Sequence, residues 1–515
     1  MTHGNEENGP FQLVALAGAP LLALATGLFA DLSPGHPEVT RTAAVALWMA
    51  LWWMTGAVPL AVTALLPIVL FPTLGIMSAR DVPNYYVNDV IFLFLGGFLV
   101  ALAMQHWELH RRIALRILLF FGGRPSRVLL GFMVPTFLLS MWISNTATTM
   151  MMVPIALSVI LRLEESNGGA AARRFTLGLL LAIAYSASIG GTATLIGTPP
   201  NASLVAILEN TFPESPPVSF AAWFAFGLPL ASLMFLCLWA MIRWRFLSGR
   251  EAISVDMSMI SRQYATMGRL TFEQAVVFAV FCAMALLWLT RDGIAIDTWS
   301  IPGWSRLFPD PGYLRDGTVA ITMAIILFVI PSKSRPDTRV LNWAIARNVP
   351  WDIILLFGGG FALAGGFAQS GLAAWAGDQL SGLSVYSPWV LVLGICLSVS
   401  FLTELTSNAA TAEMLLPIVA ALAVAIDINP LFLMIPVTLS CSFAFMLPVA
   451  TPPNALVFGT NRIRVMDMVR AGFLFNILSV FMVALAMVGL GGLVFGIDLD
   501  SMPAWAELAA PGAGE

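Results

Sequence analysis

The chain has 515 residues, 58% of them hydrophobic and 10% charged, with a net charge of −4 at pH 7; a soluble chain carries about 25% charged residues. Its mean hydropathy of +0.86 fits an integral membrane protein, and the charge balance excludes a basic nucleic-acid-binding surface. Cys237, Cys282, Cys396 and Cys441 fall inside apolar segments without paired or metal-ligand spacing, so they read as small core residues.

The N-terminal MTHGNEENGP has no basic region ahead of the first apolar stretch, so no cleavable signal peptide is expected. Apolar segments able to cross a ~30 Å hydrocarbon core follow in order. Helix one is expected near 11–30, helices two and three near 42–55 and 57–74, and helix four from 89 into the amphipathic WELHRRIALRIL. Further spans lie near 176–208, 220–246, 272–290, 316–331, 351–371, 431–460 and 468–496, which makes eleven.

Two apolar blocks remain, 129–163 and 388–426, each interrupted by a Ser-Asn pair. Arms of about 15 residues reach only ~22 Å at 1.5 Å per residue. Both blocks therefore read as re-entrant hairpins whose polar tips are buried in protein, where non-helical backbone is tolerated. With a cytoplasmic N-terminus, an outer C-terminus and both hairpins returning to their own side, twenty Lys/Arg residues fall on inner segments and five on outer ones. That is the positive-inside bias; a spanning hairpin would invert every later loop and spoil it. Gly168 is then cytoplasmic and Ser384 external.

The hairpins are near copies. FLLSMWISNTATTMMMVPIALSVI at 137–160 matches FLTELTSNAATAEMLLPIVAALAV at 401–424, and DVIFLFLGGFLVALA at 89–103 matches DIILLFGGGFALAGG at 352–366, both 263 residues apart. GTPPNA at 197–202 is repeated as ATPPNA at 450–455. On this layout the copies run in opposite directions, and broken helices at matching positions of an inverted repeat mark a secondary transporter's binding site.

Ser144, Asn145 and Thr146 at the first tip are answered by Ser407 and Asn408 at the second, with Ala409 in third place. Ser140 and Thr403 precede the pairs by one helical turn, on the same face. Each proline pair withholds amides and frees nearby carbonyls, so the motifs offer oxygens for a hard cation and half-helix N-termini for a carboxylate. None contains Lys, Arg or His, so a bound dianion needs co-bound cations. Interhelical hydrogen bonding is the plain alternative for any single Ser/Thr/Asn cluster, but two motifs each repeated in register argue against it.

These motifs, with WMALWWMTGAVPLAVTALLPIVLFP at 48–72, resemble the divalent anion:sodium symporter (INDY-type) family over essentially the whole chain. The resemblance implies an all-α polytopic membrane protein of the inverted-repeat elevator type, working as a homodimer. Scaffold helices one to four would occupy 1–128, a first transport half 129–250, scaffold helices seven to nine 251–387, a second transport half 388–500, and a tail 501–515. It further implies one sodium site at Ser140, Ser144, Asn145 and the Gly197 carbonyl, and a second at Thr403, the Thr406 carbonyl, Asn408 and the Ala450 carbonyl. Substrate carboxylates would meet Asn145, Thr146, Thr198, Ser407, Asn408 and Thr451, with Pro199 and Pro452 shaping the pocket. Ala409 stands where the family carries Thr, which removes one hydroxyl.

The expected function is sodium-coupled symport of C4-dicarboxylates such as succinate, malate and fumarate across the cytoplasmic membrane. A citrate or sulfate carrier, or an exchanger, is the sibling alternative. An intramembrane enzyme is disfavoured because no HExxH, Asp-rich or activated Ser/Cys motif is present, and paired hairpins disfavour a channel. His106 and His110, four apart, read as part of an interfacial helix. Glu404 and Glu413 are intramembrane carboxylates and so functional suspects, with a structural hydrogen bond as the other reading. The Gly-rich runs at 95–98 and 357–366 read as close helix packing.

Overall fold

The computed structural model describes residues 10–167, 170–247, 257–296, 299–498 and 501–507. In chain order the helices of the first half are α1 (Pro10–Phe29), α2 (Pro37–Thr55), α3 (Leu60–Thr63), α4 (Leu66–Thr73), α5 (Asp89–His106), α6 (Leu109–Phe121), α7 (Pro125–Ser140), α8 (Asn145–Asn167), α9 (Ala170–Thr192), α10 (Pro199–Thr211) and α11 (Phe220–Leu247). The second half has α12 (Ser258–Thr266), α13 (Phe272–Thr290), α14 (Asp316–Val329), α15 (Trp343–Ala346), α16 (Trp351–Ser370), α17 (Leu372–Leu380), α18 (Pro388–Leu402), α19 (Asn408–Ala425), α20 (Pro430–Cys441), α21 (Pro452–Phe458) and α22 (Val465–Ala486). A short antiparallel ribbon, β1 (Gly293–Ile296) on β2 (Trp299–Pro302), follows α13. Gly168 and the 250/251 boundary expected between halves lie outside the described residues.

Among the described residues, nine helices are long and apolar enough to cross a bilayer, or ten if the bent pair running from Leu372 to Leu402 is one span. Seven of the nine are expected crossings; the other two are α8 and α19, the second hairpin arms. Four of the eleven expected crossings fall short individually. Helix α2 carries Glu38 and Arg41, the third crossing is split into α3 and α4, α14 has 14 residues, and α20 and α21 are parted by a loop. The hairpin arms also differ from expectation. Helices α7 and α18 have the expected length at 16 and 15 residues, but α8 and α19 run to 23 and 18. Pro154 and Pro417 sit inside these second arms without ending them. Shortness therefore argues for a re-entrant path only in the first arm of each hairpin.

Small residues set the closest helix contacts, as the Gly-rich runs imply. Helices α5 and α14 pack along their length, and a side chain at Gly96 would collide with the Ala320 backbone. Helix α6 is the expected amphipathic element, begun by a left-handed Glu108 that breaks it from α5. It is anchored by buried Arg112, which donates to the Met267, Gly268 and Arg269 carbonyls at 2.7–3.1 Å. A cation there meets the carbonyl end of α12, where the helix field favours positive charge.

Near the start of α14, buried Arg291 pairs with Asp316 at 3.2 Å and Asp292 at 2.8 Å. The second Asp316 oxygen accepts the Phe220 amide at 2.8 Å, tying the start of α11 to the start of α14. Arg315 reaches Glu209 of α10 at 3.5 Å.

Candidate substrate and cation site

Each hairpin tip is held by the same pair of bonds. The Ser140 hydroxyl donates to Asn145 Oδ1 and also lies against the Ala187 carbonyl at 2.7 Å. Thr403, 263 residues later, donates to Asn408 Oδ1 and lies against the Cys441 carbonyl, both at 2.8 Å. The asparagines begin α8 and α19, so each tip presents a helix N-terminus with its first side chain already oriented. Ser144 caps α8 by accepting the Ala147 amide, whereas Ser407 makes no side-chain cap on α19. The Thr406 hydroxyl pairs with that of Thr411 at 2.6 Å.

The broken helices repeat in the same way. Asn201 donates to the Gly191 and Thr194 carbonyls, and Asn454, 253 residues on, donates to those of Ala444 and Leu447. Each asparagine thus stitches the carbonyls left open where α9 and α20 end. Pro199 and Pro452 take the first position of α10 and α21, where a missing N–H costs nothing and the fixed φ suits a helix start. Among the described residues, no hydrogen bond is made to the Gly197 or Ala450 carbonyl.

All four motifs meet around one cavity of about 600 Å³. Its wall includes every residue expected to touch substrate: Asn145, Thr146, Thr198, Pro199, Ser407, Asn408, Thr451 and Pro452. Ser144, Gly197, Thr406 and Ala450 of the expected cation sites also line it. Ser140 and Thr403 do not; both are fully buried behind Asn145 and Asn408. The N-termini of α8, α10, α19 and α21 all point at the cavity. Their dipoles supply positive potential that no side chain does, because Asp352 is the only charged residue in the wall.

Gly191 lies against the first hairpin tip and the Gly197 carbonyl. A Cβ there would sit 2.5 Å from Asn145 Oδ1 and 3.0 Å from both Asn145 Nδ2 and the Gly197 carbonyl oxygen. Two oxygens and an amide nitrogen thus crowd a space that only glycine leaves vacant, a cradle beside the expected first cation site. Sequence reasoning passed over Gly191, although the GG pair six residues before Gly197 is a signal for close backbone approach.

The opposite faces of the repeat are not alike. Asp89 and Asp352, 263 apart, open α5 and α16. Around Asp89, with Glu209, Arg291 and Arg315, only a crevice of about 30 Å³ remains. Around Asp352 the large cavity is open, and Met54, Leu405 and Val449 on its wall are exposed.

The sequence flagged Glu404, and the structure gives it a job. Its carboxylate accepts the Phe445, Met446 and Leu447 amides and the Asn476 side-chain amide, all at 2.7–2.8 Å. It therefore clamps the loop between α20 and α21 to the second hairpin. In the first half the equivalent positions meet with the same polarity but with side chain and backbone exchanged: the Thr194 hydroxyl donates to the Met141 carbonyl. Glu413 is fully buried and accepts from Ser203 at 2.6 Å. Asn476, and Tyr185, whose hydroxyl donates to the Phe445 carbonyl at 2.6 Å across the two halves, carried no motif that singled them out.

Twin broken helices and hairpin tips that bring polar residues to one cavity between apolar helices define a membrane transporter, not an enzyme. A family model described as sodium:sulfate symporter transmembrane region matches residues 22–497, and the chain belongs to that family. A relative from Staphylococcus saprophyticus, the sodium-dependent dicarboxylate transporter SdcS, is 40% identical over 494 residues, covering 95% of this chain and 93% of its own. Its Staphylococcus aureus namesake is 41% identical over 495 residues with the same coverage. Among solved structures, the Alcanivorax borkumensis YdaH transporter superposes with a TM-score of 0.57 at 12% identity, over 95% of this chain and all of the other. The Neisseria gonorrhoeae MtrF efflux pump gives 0.53 at 14% identity, over 93% and 98%. At those identities the likeness concerns the fold alone.

Proposed function

We propose that this protein is a sodium-coupled symporter of C4-dicarboxylates such as succinate, malate and fumarate, located in the cytoplasmic membrane. The observation that carries this reading is the cavity itself: twin Ser-Asn tips and twin Thr-Pro-Pro-Asn breaks surround it, and it contains no basic side chain. A dicarboxylate entering it meets hydroxyl and amide donors and helix N-termini, and its remaining charge is compensated by sodium ions. The sites are Ser140, Ser144, Asn145 and the Gly197 carbonyl on one side, and Thr403, the Thr406 carbonyl, Asn408 and the Ala450 carbonyl on the other. The names of the two staphylococcal relatives point the same way. The test is uptake of labelled succinate by proteoliposomes: an inward sodium gradient is expected to drive accumulation that potassium does not. Equal uptake in both salts overturns the coupling.

Transport proceeds by an elevator movement within a homodimer, with the two hairpins, α9–α11 and α20–α22 moving against the remaining helices. With the N-terminus in the cytoplasm, α16 starts at the inner face, and the open side of the cavity at Asp352 makes this the inward-facing state. The orientation is tested by cysteine labelling. A cysteine at Ser384, in an exposed turn before α18, is expected to react with an impermeant maleimide from outside, and one at Gly168 only from the cytoplasm. Reaction of both from one side makes one hairpin a full span and removes the inverted repeat.

Ala409 lines the cavity and is 6% exposed, so its departure from the family hydroxyl falls on the wall that would meet substrate. A neutral hydrogen bond contributes about 0.5–1.5 kcal/mol net. Ala409→Thr is therefore expected to tighten dicarboxylate binding roughly three- to ten-fold, measured by competition of succinate, malate, citrate and sulfate against labelled succinate. Unchanged competition by every anion removes this position from the substrate's surroundings.

A further inference from the structure

A second cavity, of about 420 Å³, lies away from the central one, between the first turns of α9, the loop leading into α22 and the end of α8. It is lined by Glu164, Arg173, Thr176, Asn461, Arg462 and Arg464, with Ala172 and Ile463 as its apolar floor. Three guanidinium groups face one carboxylate, and the carboxylate is already engaged. Glu164 receives Arg462 through two bonds, Nε to Oε1 at 3.2 Å and Nη2 to Oε2 at 3.0 Å, the two-pronged geometry that fixes an arginine in place. Arg173 and Arg464 are exposed and have no ion-pair partner among the described residues. Among the described residues, two of the cavity's three positive charges are thus uncompensated.

Thr176 is the independent sign of a ligand. It is 2% exposed, lines the cavity, and its hydroxyl has no hydrogen-bond partner. A helical threonine ordinarily donates to the carbonyl four residues back, as Thr136 does to Phe132 and Thr438 to Met434 in this protein. Thr176 leaves that bond unmade, and a buried hydroxyl without a partner is costly. The α22 N-terminus adjoins the same space with no side-chain cap from Arg464, so its amides add to the positive potential.

We infer that this cavity is a phosphate-oxyanion site, in which Arg173 and Arg464 hold the charged oxygens and the Thr176 hydroxyl donates to one of them. The occupant is the phosphodiester of an anionic lipid or free inorganic phosphate. On the proposed orientation the site lies at the cytoplasmic face, where anionic headgroups concentrate beside basic pockets. The site is separate from the transport cavity and shares no lining residue with it.

The experiment follows thermal unfolding of the full chain in detergent by tryptophan fluorescence, at fixed ionic strength because exposed charges are screened by salt. The probes are dihexanoyl phosphatidylglycerol, dihexanoyl phosphatidylcholine and inorganic phosphate. Wild-type protein is expected to gain roughly 2–4 °C at saturation with an anionic probe and nothing with phosphatidylcholine. A gain with phosphatidylglycerol alone identifies a lipid site; a gain with inorganic phosphate as well identifies a site for the free ion. The double variant Arg173→Ala/Arg464→Ala changes exposed side chains and is expected to fold, elute and melt like wild type without probe, while losing the gain. Thr176→Val, which keeps the shape and removes the hydroxyl, is expected to weaken binding of the same probe several-fold. No gain with either anion, or an equal gain in the double variant, overturns the inference.

Discussion

Asn145→Ala and Asn408→Ala are each expected to abolish sodium-driven dicarboxylate uptake while leaving the protein folded. Each asparagine stands at the junction of two ligands. Its Oδ1 accepts from Ser140 or Thr403 on the buried side, toward the expected sodium site. The same residue lines the cavity on the other side, where substrate would sit. Losing a hydrogen bond to a charged group costs about 1.5–3 kcal/mol. With cation and anion both affected, the combined loss is roughly 3–6 kcal/mol, beyond a hundredfold in transport.

The fold should survive because the hydroxyl partners retain the Ala187 and Cys441 carbonyls. Both asparagines are also only half-buried at the tips. Uptake is measured beside thermal unfolding and size-exclusion elution. Wild-type-like, sodium-dependent uptake by either variant would sink the assignment of the tips as the binding centre.

Much of this site was legible because duplication makes polar residues in apolar helices conspicuous. Ser-Asn and Thr-Pro-Pro-Asn break helices wherever they fall, and their recurrence at fixed spacing separates function from accident. The structure brings all four breaks to one cavity, as the repeat implied. Three features were not legible, each for a physical reason. The second hairpin arms are longer than the break pattern suggests, because a proline within a helix bends it without terminating it when neighbouring helices support the freed backbone. The cradle at Gly191 depends on the meeting of α9 with the first hairpin tip, and a glycine in sequence does not say what approaches it. The wall formed by Trp53, Met54 and Asp352 comes from α2 and α16, segments with no polar motif, so only tertiary packing reveals it.

Glu404→Ala is expected to destabilise the protein more than any substitution in the cavity wall. Glu404 is 2% exposed, and removing its side chain takes the acceptor from three consecutive amides, those of buried Phe445 and half-buried Met446 and Leu447, of which only the first has a second acceptor, Asn476 Oδ1 at 3.2 Å. Each buried donor left unmade costs about 1–3 kcal/mol. For the two amides left without an acceptor the total is roughly 2–6 kcal/mol, a large part of the 5–15 kcal/mol by which proteins are typically stable. Glu404→Gln separates this structural role from a proton-carrying one. Its carbonyl can still serve Phe445 and Met446, but its NH2 then faces the Leu447 amide, donor against donor. The glutamine variant should melt between wild type and alanine, bind sodium more weakly because the loop leads directly to Ala450, and keep the pH profile of uptake. An alanine variant as stable as wild type would show that the amides find other partners. A glutamine variant with wild-type stability and an altered pH profile would assign Glu404 to proton movement and not to holding the break open.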